Sequence, residues 1–296
     1  MAAPPAWAVL GVPIDSAGRP GGTERAPAAL RAAGLVAALG ARDAGDVAVR
    51  IRGTRRDPRT GILASRDVLA VTPAVRRAVR GLLAGGERPL VLGGCCALLP
   101  GALAGARDVH RRNGLVSVDG HVDVYDGESS PTGEAADMPL GVALGRPPRA
   151  WVDAADGPSL EARDVIVLGA RDPDEAADIS GLLDGELADL TVYGPDALRR
   201  SGAQRAGLGA ATRLADEPGR FWLALDVDVL DEDAMPATDY LMPGGLGWDE
   251  LAELLAPLAA SPALIGVSVA CVNPEKDPDG ALVQRTADLL GMLRER

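Results

Sequence analysis

Short apolar runs alternate with alanine- and leucine-rich stretches along the whole chain. Trp7–Gly11, Val47–Ile51, Pro89–Leu92, Leu115–Val118, Val165–Leu168, Leu190–Tyr193, Phe221–Leu225 and Leu264–Val269 read as strands. Ala26–Leu39, Thr72–Leu83, Cys96–Val109, Pro195–Leu214, Trp248–Leu258 and Ala281–Leu293 carry helical patterning. Thr72-Pro73 reads as a helix start, with a capping hydroxyl and a proline in the first turn. Strands separated by helices need crossover connections, and so they pair in parallel with helices on both faces. The expectation is one α/β domain over residues 1–296: three αβα layers around a mostly parallel sheet of about eight strands. No proline-, serine- or charge-rich linker interrupts the pattern. At 47% hydrophobic residues, the chain can bury a large core.

In such sheets ligands bind beyond the carboxyl ends of the strands. The chemically loaded residues of this chain follow apolar strands: Gly93–Cys96, Asp119–Asp123, Ala170–Asp174, Asp226–Asp228 and Cys271–Pro274. The stretch Leu115–Tyr125 is the most informative. Its apolar run ends in Asp119, His121 and Asp123, and in an extended backbone residues i, i+2 and i+4 point the same way. Two carboxylates and an imidazole at one spot repel and desolvate one another unless a cation lies between them. Asp226 and Asp228 repeat the spacing on a second strand. Four carboxylates exceed the charge of one divalent ion, whereas two ions balance them and position a bridging hydroxide as nucleophile.

Composition excludes other classes. A formal net charge of −12 argues against nucleic-acid and anionic-membrane partners. No run of eighteen apolar residues reads as a membrane span, and the first residues lack a secretory signal, so a cytoplasmic protein is expected. Three cysteines do not make a disulfide framework, and free thiols are expected. His110, the only other histidine, reads as a solvated residue at a helix C-terminus.

Asp-Gly-His-Val-Asp at 119–123, Leu-Asp-Val-Asp-Val-Leu-Asp at 225–231, Gly-Gly-Cys-Cys at 93–96 and Val-Asn-Pro at 272–274 resemble motifs of the arginase/agmatinase (ureohydrolase) family. Gly-Ala-Arg-Asp at 169–172 and Pro-Ala-Thr at 236–238 extend the resemblance over nearly the whole chain. It implies a binuclear manganese centre that hydrolyses a C–N bond of a guanidino or related amidino carbon. It also implies a homo-oligomer, trimer or hexamer by analogy. Carried over by position, Asp119, His121, Asp123, Asp226 and Asp228 occupy five of six ligand places, and Asp123 accepts the proton of the attacking hydroxide. Cys96 occupies the sixth, where the family has histidine; a thiolate is a softer ligand than imidazole. Cysteine there also resembles hydroxyarginine amidinohydrolase. The bland reading of Cys96 is a small buried side chain at a helix start.

Departures cluster on the substrate side. The family's proton-shuttling histidine falls on Ala136, and the asparagine that contacts the amino-acid end falls on Glu134. The glutamate that receives guanidinium falls on Cys271, and a neutral thiol cannot make the bidentate charge-assisted pair of a carboxylate. Asp174 lies where the family reads the substrate's amino group, and Tyr240 narrows the cleft floor. The resulting expectation is a metal-dependent amidinohydrolase for a guanidino, N-hydroxyguanidino or related amidino small molecule other than plain arginine. The alternative is a metal-retaining, non-catalytic or ligand-binding protein of the same fold.

Overall fold

The computed structural model describes residues 5–17, 21–172 and 177–294. Its strands are β1 (Trp7–Val12), β2 (Arg42–Asp46), β3 (Arg88–Gly93), β4 (Gly114–Val118), β5 (Val165–Leu168), β6 (Thr191–Tyr193), β7 (Phe221–Asp226) and β8 (Leu264–Ala270). They form one sheet in the order β2-β1-β3-β8-β7-β4-β5-β6, parallel at every pairing. Every residue of β1 and β4 is buried, as expected of strands covered on both faces. Helices complete the three αβα layers. Among the described residues no helix is long and apolar enough to cross a membrane.

Helix packing explains several glycines that weaken a sequence-based assignment. The helix Leu99–His110 carries Pro100 in its first turn and lies against the helix Ser65–Ala84. A Cβ at Gly101 would stand 2.7 Å from the Thr72 carbonyl oxygen, and one at Gly105 2.8 Å from that of Arg76. Glycines four apart thus share one helix face and let the two backbones approach closely. In the sheet, Gly266 leaves room for Trp222, whose ring would lie 2.2 Å from an added Cβ. The Trp222 indole N–H donates to Ser268 Oγ at 3.1 Å.

Four sequence-based boundaries are corrected. The second strand is Arg42–Asp46, not Val47–Ile51. It is an edge strand with mostly exposed side chains, paired among the described residues only with β1, so no apolar alternation marks it. Arg31 clasps it through Asp43 (3.0 Å) and Asp46 (2.6 Å). The helix predicted from Thr72 begins at Ser65. Thr72 is fully buried inside it and accepts a hydrogen bond from Trp151 Nε1 at 2.8 Å, so its hydroxyl serves the core instead of a cap. The helix predicted over Ala26–Leu39 is two, Ala26–Ala32 and Leu35–Leu39, parted by Gly34 at φ 85°. Pro195–Leu214 likewise divides at Gly202, φ 84°, into Pro195–Ser201 and Ala203–Asp216. Glycine takes such angles without the Cβ clash that other residues meet.

Candidate metal centre

Strands β3, β8, β7, β4 and β5 are consecutive in the sheet, so the five loaded strand exits fall side by side on one edge. Local chemistry sets each exit. At the end of β3, a Cβ on Gly94 would lie 1.7 Å from the Ile14 carbonyl oxygen, and one on Gly93 2.2 Å from Leu98 Cδ2. Glycine at 94 is what lets this turn pass the Ile14 backbone and present Cys96. After β4, the Asp119 carboxylate accepts from the His121 N–H at 2.8 Å, tightening the turn. Asp123 (φ 58°) and Cys271 (φ 66°) both adopt left-handed backbone conformations. For a residue with a Cβ this costs about 1–2 kcal/mol, and such strain collects where surroundings over-determine a functional geometry.

The donor atoms gather in two groups. One atom each from Asp119, His121 and Asp228 lies within 4.8 Å of the others, and the same holds for Cys96, Asp226 and Cys271. His121 Nδ1 is 3.1 Å from Asp228 Oδ2, while Asp228 Oδ1 accepts from Gly120 N–H at 3.0 Å. Asp226 accepts from the Asp228 N–H at 3.1 Å. The Cys96 thiol donates to the Ala136 carbonyl at 3.3 Å. A cavity of about 60 Å³ is lined by Cys96, His121, Asp123, Asp226, Asp228 and Cys271, with Ala136 and Tyr240 also on its wall. Asp119, Asp226 and Asp228 are only 6%, 4% and 5% exposed.

Two further residues belong to the site. Asp172 accepts from the Val122 N–H with both carboxylate oxygens at 3.1 Å, and it lines the cavity. The buried Arg171 guanidinium donates to the Asp228 carbonyl (2.8 Å) and the Val229 carbonyl (3.1 Å), and so buttresses the β7 exit. Both stand in the Gly-Ala-Arg-Asp segment. Nothing in that segment signals that one residue clamps backbone at β7 and the other backbone beyond β4.

The electrostatics describe a site short of positive charge. Burial, reinforced by Asp123, Asp228 and Asp226, holds Asp119 protonated well above the usual carboxylate range. Burial likewise raises Asp123, with Asp226 and Asp228 adding to it against the pull of His121. Burial and the Asp228 charge push Asp226 up to about 7. Burial alone would raise Asp228, but the charge and hydrogen bond of His121, with Gly120 N–H and Arg171, hold it below its ordinary value. Burial opposes protonation of His121, yet Asp228 and Asp123 outweigh it and lift the imidazole to about 10. Burial brings Asp172 to about 6. The contact with Cys271, then burial, raises the Cys96 thiol. The contact with Cys96 lowers Cys271, but burial and the Asp226 and Asp228 charges prevail, and it too is raised. Oxygen, nitrogen and sulfur donors held in excess of cationic partners are what bound divalent ions would balance.

Toward the cavity mouth, the Tyr240 hydroxyl donates to the Glu134 carboxylate. The Tyr240 ring meets His121 edge-on, centroids 6.4 Å apart. The loop bearing Glu134 is held by Arg56, which donates to the carbonyls of Gly127 (3.1 Å) and Ser130 (2.8 Å). Asp174 lies outside the described residues. His110 ends its helix but is half-buried beside Arg220, and burial lowers its pKa, contrary to the solvated residue expected.

The chain is similar to known proteins over nearly its whole length. The Arginase family model matches residues 5–293. An arginase of Bacillus caldovelox is 28% identical over 294 residues, covering 96% of each chain. The solved structure of Bacillus caldovelox arginase superposes with a TM-score of 0.91 at 24% identity, covering 99% of both chains. Formimidoylglutamase from Bacillus subtilis superposes with a TM-score of 0.77 at 20% identity, covering 98% of this chain and 86% of that one.

Proposed function

Since the chain belongs to the arginase family, we propose that it is a two-metal amidinohydrolase acting on a guanidino, N-hydroxyguanidino or related amidino compound other than plain arginine. The observation that carries the reading is the convergence of Asp119, His121, Asp226, Asp228 and Cys96 on one buried edge, with Asp123 on the wall of the same cavity. The donor set fits divalent cations, and these six residues would hold them, manganese being the family's implied metal. When bound, such a pair supplies Lewis acidity that makes a water acidic near neutral pH.

The chain's own residues do the rest. Asp228 accepts two hydrogen bonds and orients the His121 ring, turning its Nδ1 toward the Asp119 and Asp228 oxygens. Asp123 lines the cavity, its backbone held by the hydrogen bond from Gly141 N–H to its carbonyl at 3.0 Å, and its carboxylate is the group to take a proton from water and return it to the departing amine. Ala136 offers no side chain for that return. A leaving group less basic than an alkylamine therefore suits the site, because it needs less proton transfer as the C–N bond breaks. Tyr240 and Glu134 stand at the mouth where a cationic or polar substrate tail would pass.

The test joins metal analysis to a product screen over guanidino, N-hydroxyguanidino and formimino compounds. Two divalent ions per chain and urea or an equivalent product from at least one non-arginine compound are expected. Protein prepared with manganese that holds no transition metal would sink the reading. One observation favours a second: Ala136 and Cys271 stand where the family shuttles a proton with histidine and receives guanidinium with glutamate. Retained metal without turnover on any compound would select a metal-holding, non-catalytic protein.

A further inference from the structure

Three ligand-type side chains reach one spot from three neighbouring strands. Cys96 follows β3, Asp226 ends β7, and Cys271 is the first residue beyond β8, which lies between them. Register keeps these ends level: Leu92 faces Val269, and Asp226 faces Ala270. The Cys96 and Cys271 sulfurs and an Asp226 oxygen lie within 4.8 Å of one another. The left-handed turn at Cys271 is pinned by its N–H, which donates to the Gly94 carbonyl at 2.7 Å. Gly94 itself is held against Ile14 with no space for a side chain. The two thiol-bearing backbones are thus tied directly together. The other group, Asp119, His121 and Asp228, offers only oxygen and nitrogen.

Taking the two-ion reading as given, we propose that Cys271 is a metal ligand, forming with Cys96 and Asp226 a thiolate half-site for a borderline or soft divalent ion of the zinc type. The oxygen- and nitrogen-donor half-site at Asp119, His121 and Asp228 lies beside it. Thiolates select zinc and its neighbours over manganese, which prefers oxygen donors. On loading, each thiol S–H bond breaks, its proton passes to solvent, and the sulfur lone pair forms the bond to the ion. The position before Val272-Asn273-Pro274 then serves the metal, and an amidino group is received without an ion pair there.

Cobalt(II) reads this directly, because sulfur-to-cobalt charge transfer absorbs in the near ultraviolet in proportion to the number of Co–S bonds. Reduced, metal-free protein is loaded with cobalt, and stoichiometry is measured beside the spectrum. Two cobalt ions per chain are expected, with a charge-transfer band that falls by about half in Cys271→Ser and in Cys96→Ser, and vanishes in the double variant. An unchanged band in Cys271→Ser, with two cobalt ions still bound, overturns the assignment. Wild-type protein that binds two cobalt ions without the band also overturns it, while the two-ion reading stands. Wild-type protein that binds no cobalt defeats both. If Cys271→Ser does not fold, X-ray absorption of the zinc-loaded wild type decides the matter. A sulfur shell near 2.3 Å averaging one sulfur per zinc supports the assignment, and half a sulfur per zinc overturns it.

Discussion

The imidazole of His121 and the carboxylate of Asp228 meet at 3.1 Å, Nδ1 to Oδ2, from the ends of adjacent strands β4 and β7. The Asp228 oxygen not engaged by His121 accepts from Gly120 N–H, so one carboxylate ties both side chain and backbone of the β4 exit to β7. The contact fixes the ring and sets its charge.

The chain's two histidines should therefore titrate on opposite sides of 6.5 in metal-free protein. Burial acts against protonation at both, but at His121 it is outweighed by Asp228, giving about 10, whereas His110 is lowered by burial and Arg220. NMR titration of the two rings checks this. In Asp228→Asn the high resonance should move down by more than one unit while His110 stays. A His121 ring that titrates near 6.5 in the wild type would contradict the described contact.

Metal-free protein should lose stability as pH rises. Asp226 titrates near 7 when folded against an ordinary aspartate value of 3.8, so the folded state holds the extra proton between those values. That contribution is fully present below about pH 4 and is lost as pH rises through 7. His121, lifted from 6.5 to about 10, adds the same sign in its own window, present below 6.5 and lost through 10. Thermal melts of chelated protein from pH 5 to 9 should show a falling melting temperature, and saturating divalent metal should flatten the trend. Loading near pH 7 should release protons, measurable in weakly buffered solution.

Gly94→Ala should be among the most damaging single-methyl changes in the chain. The added Cβ would stand 1.7 Å from the Ile14 carbonyl oxygen, which is backbone and cannot swing aside. A loss of about 4 kcal/mol or more is expected, read by denaturant unfolding, with weaker metal retention in whatever folds. Gly209→Ala, where an added Cβ meets nothing within 4 Å, is the control and should be neutral or slightly stabilising.

Arg56→Ala should loosen the loop that carries Glu134 without touching the metal-ligand side chains. Its guanidinium ties the carbonyls of Gly61, Gly127 and Ser130, and its removal should cost about 1 kcal/mol or somewhat more. Hydrogen exchange over residues 125–136 should quicken while metal stoichiometry holds. Unchanged exchange there would show that the loop is secured by other contacts.

How much could be seen beforehand follows a physical division. The strand exits were legible because buried parallel strands are uniformly apolar, and their abrupt ends in Asp119, Asp226 and Cys271 mark one edge. Edge strand β2 was not, since its charged side chains face solvent and only backbone pairing makes it a strand. Helix breaks at Gly34 and Gly202 turn on left-handed φ values that compete evenly with helix at the level of sequence. The work of Arg171 and Asp172 was hidden for another reason: each binds backbone more than fifty residues or about fifty residues away. The approach of Cys271 to Cys96 and Asp226 required the strand order, which alternation alone does not supply.

That strand order also governs when the protein can come into being. Among the described residues, the last strand, β8, is the only one that pairs with both β3 and β7, so β2-β1-β3 and β7-β4-β5-β6 share no pairing with each other. A ribosome that has released the first 263 residues has delivered two sheet fragments with facing unpaired edges. Such exposed edges invite association with other chains until they are covered. The closing strand must insert between them, bringing Cys271 as its next residue. The edge that bears Cys96, Asp119 and Asp226 is completed only when β8 joins, and a chain cut short before β8 carries Asp119, His121, Asp226 and Asp228 with no joined sheet to hold them.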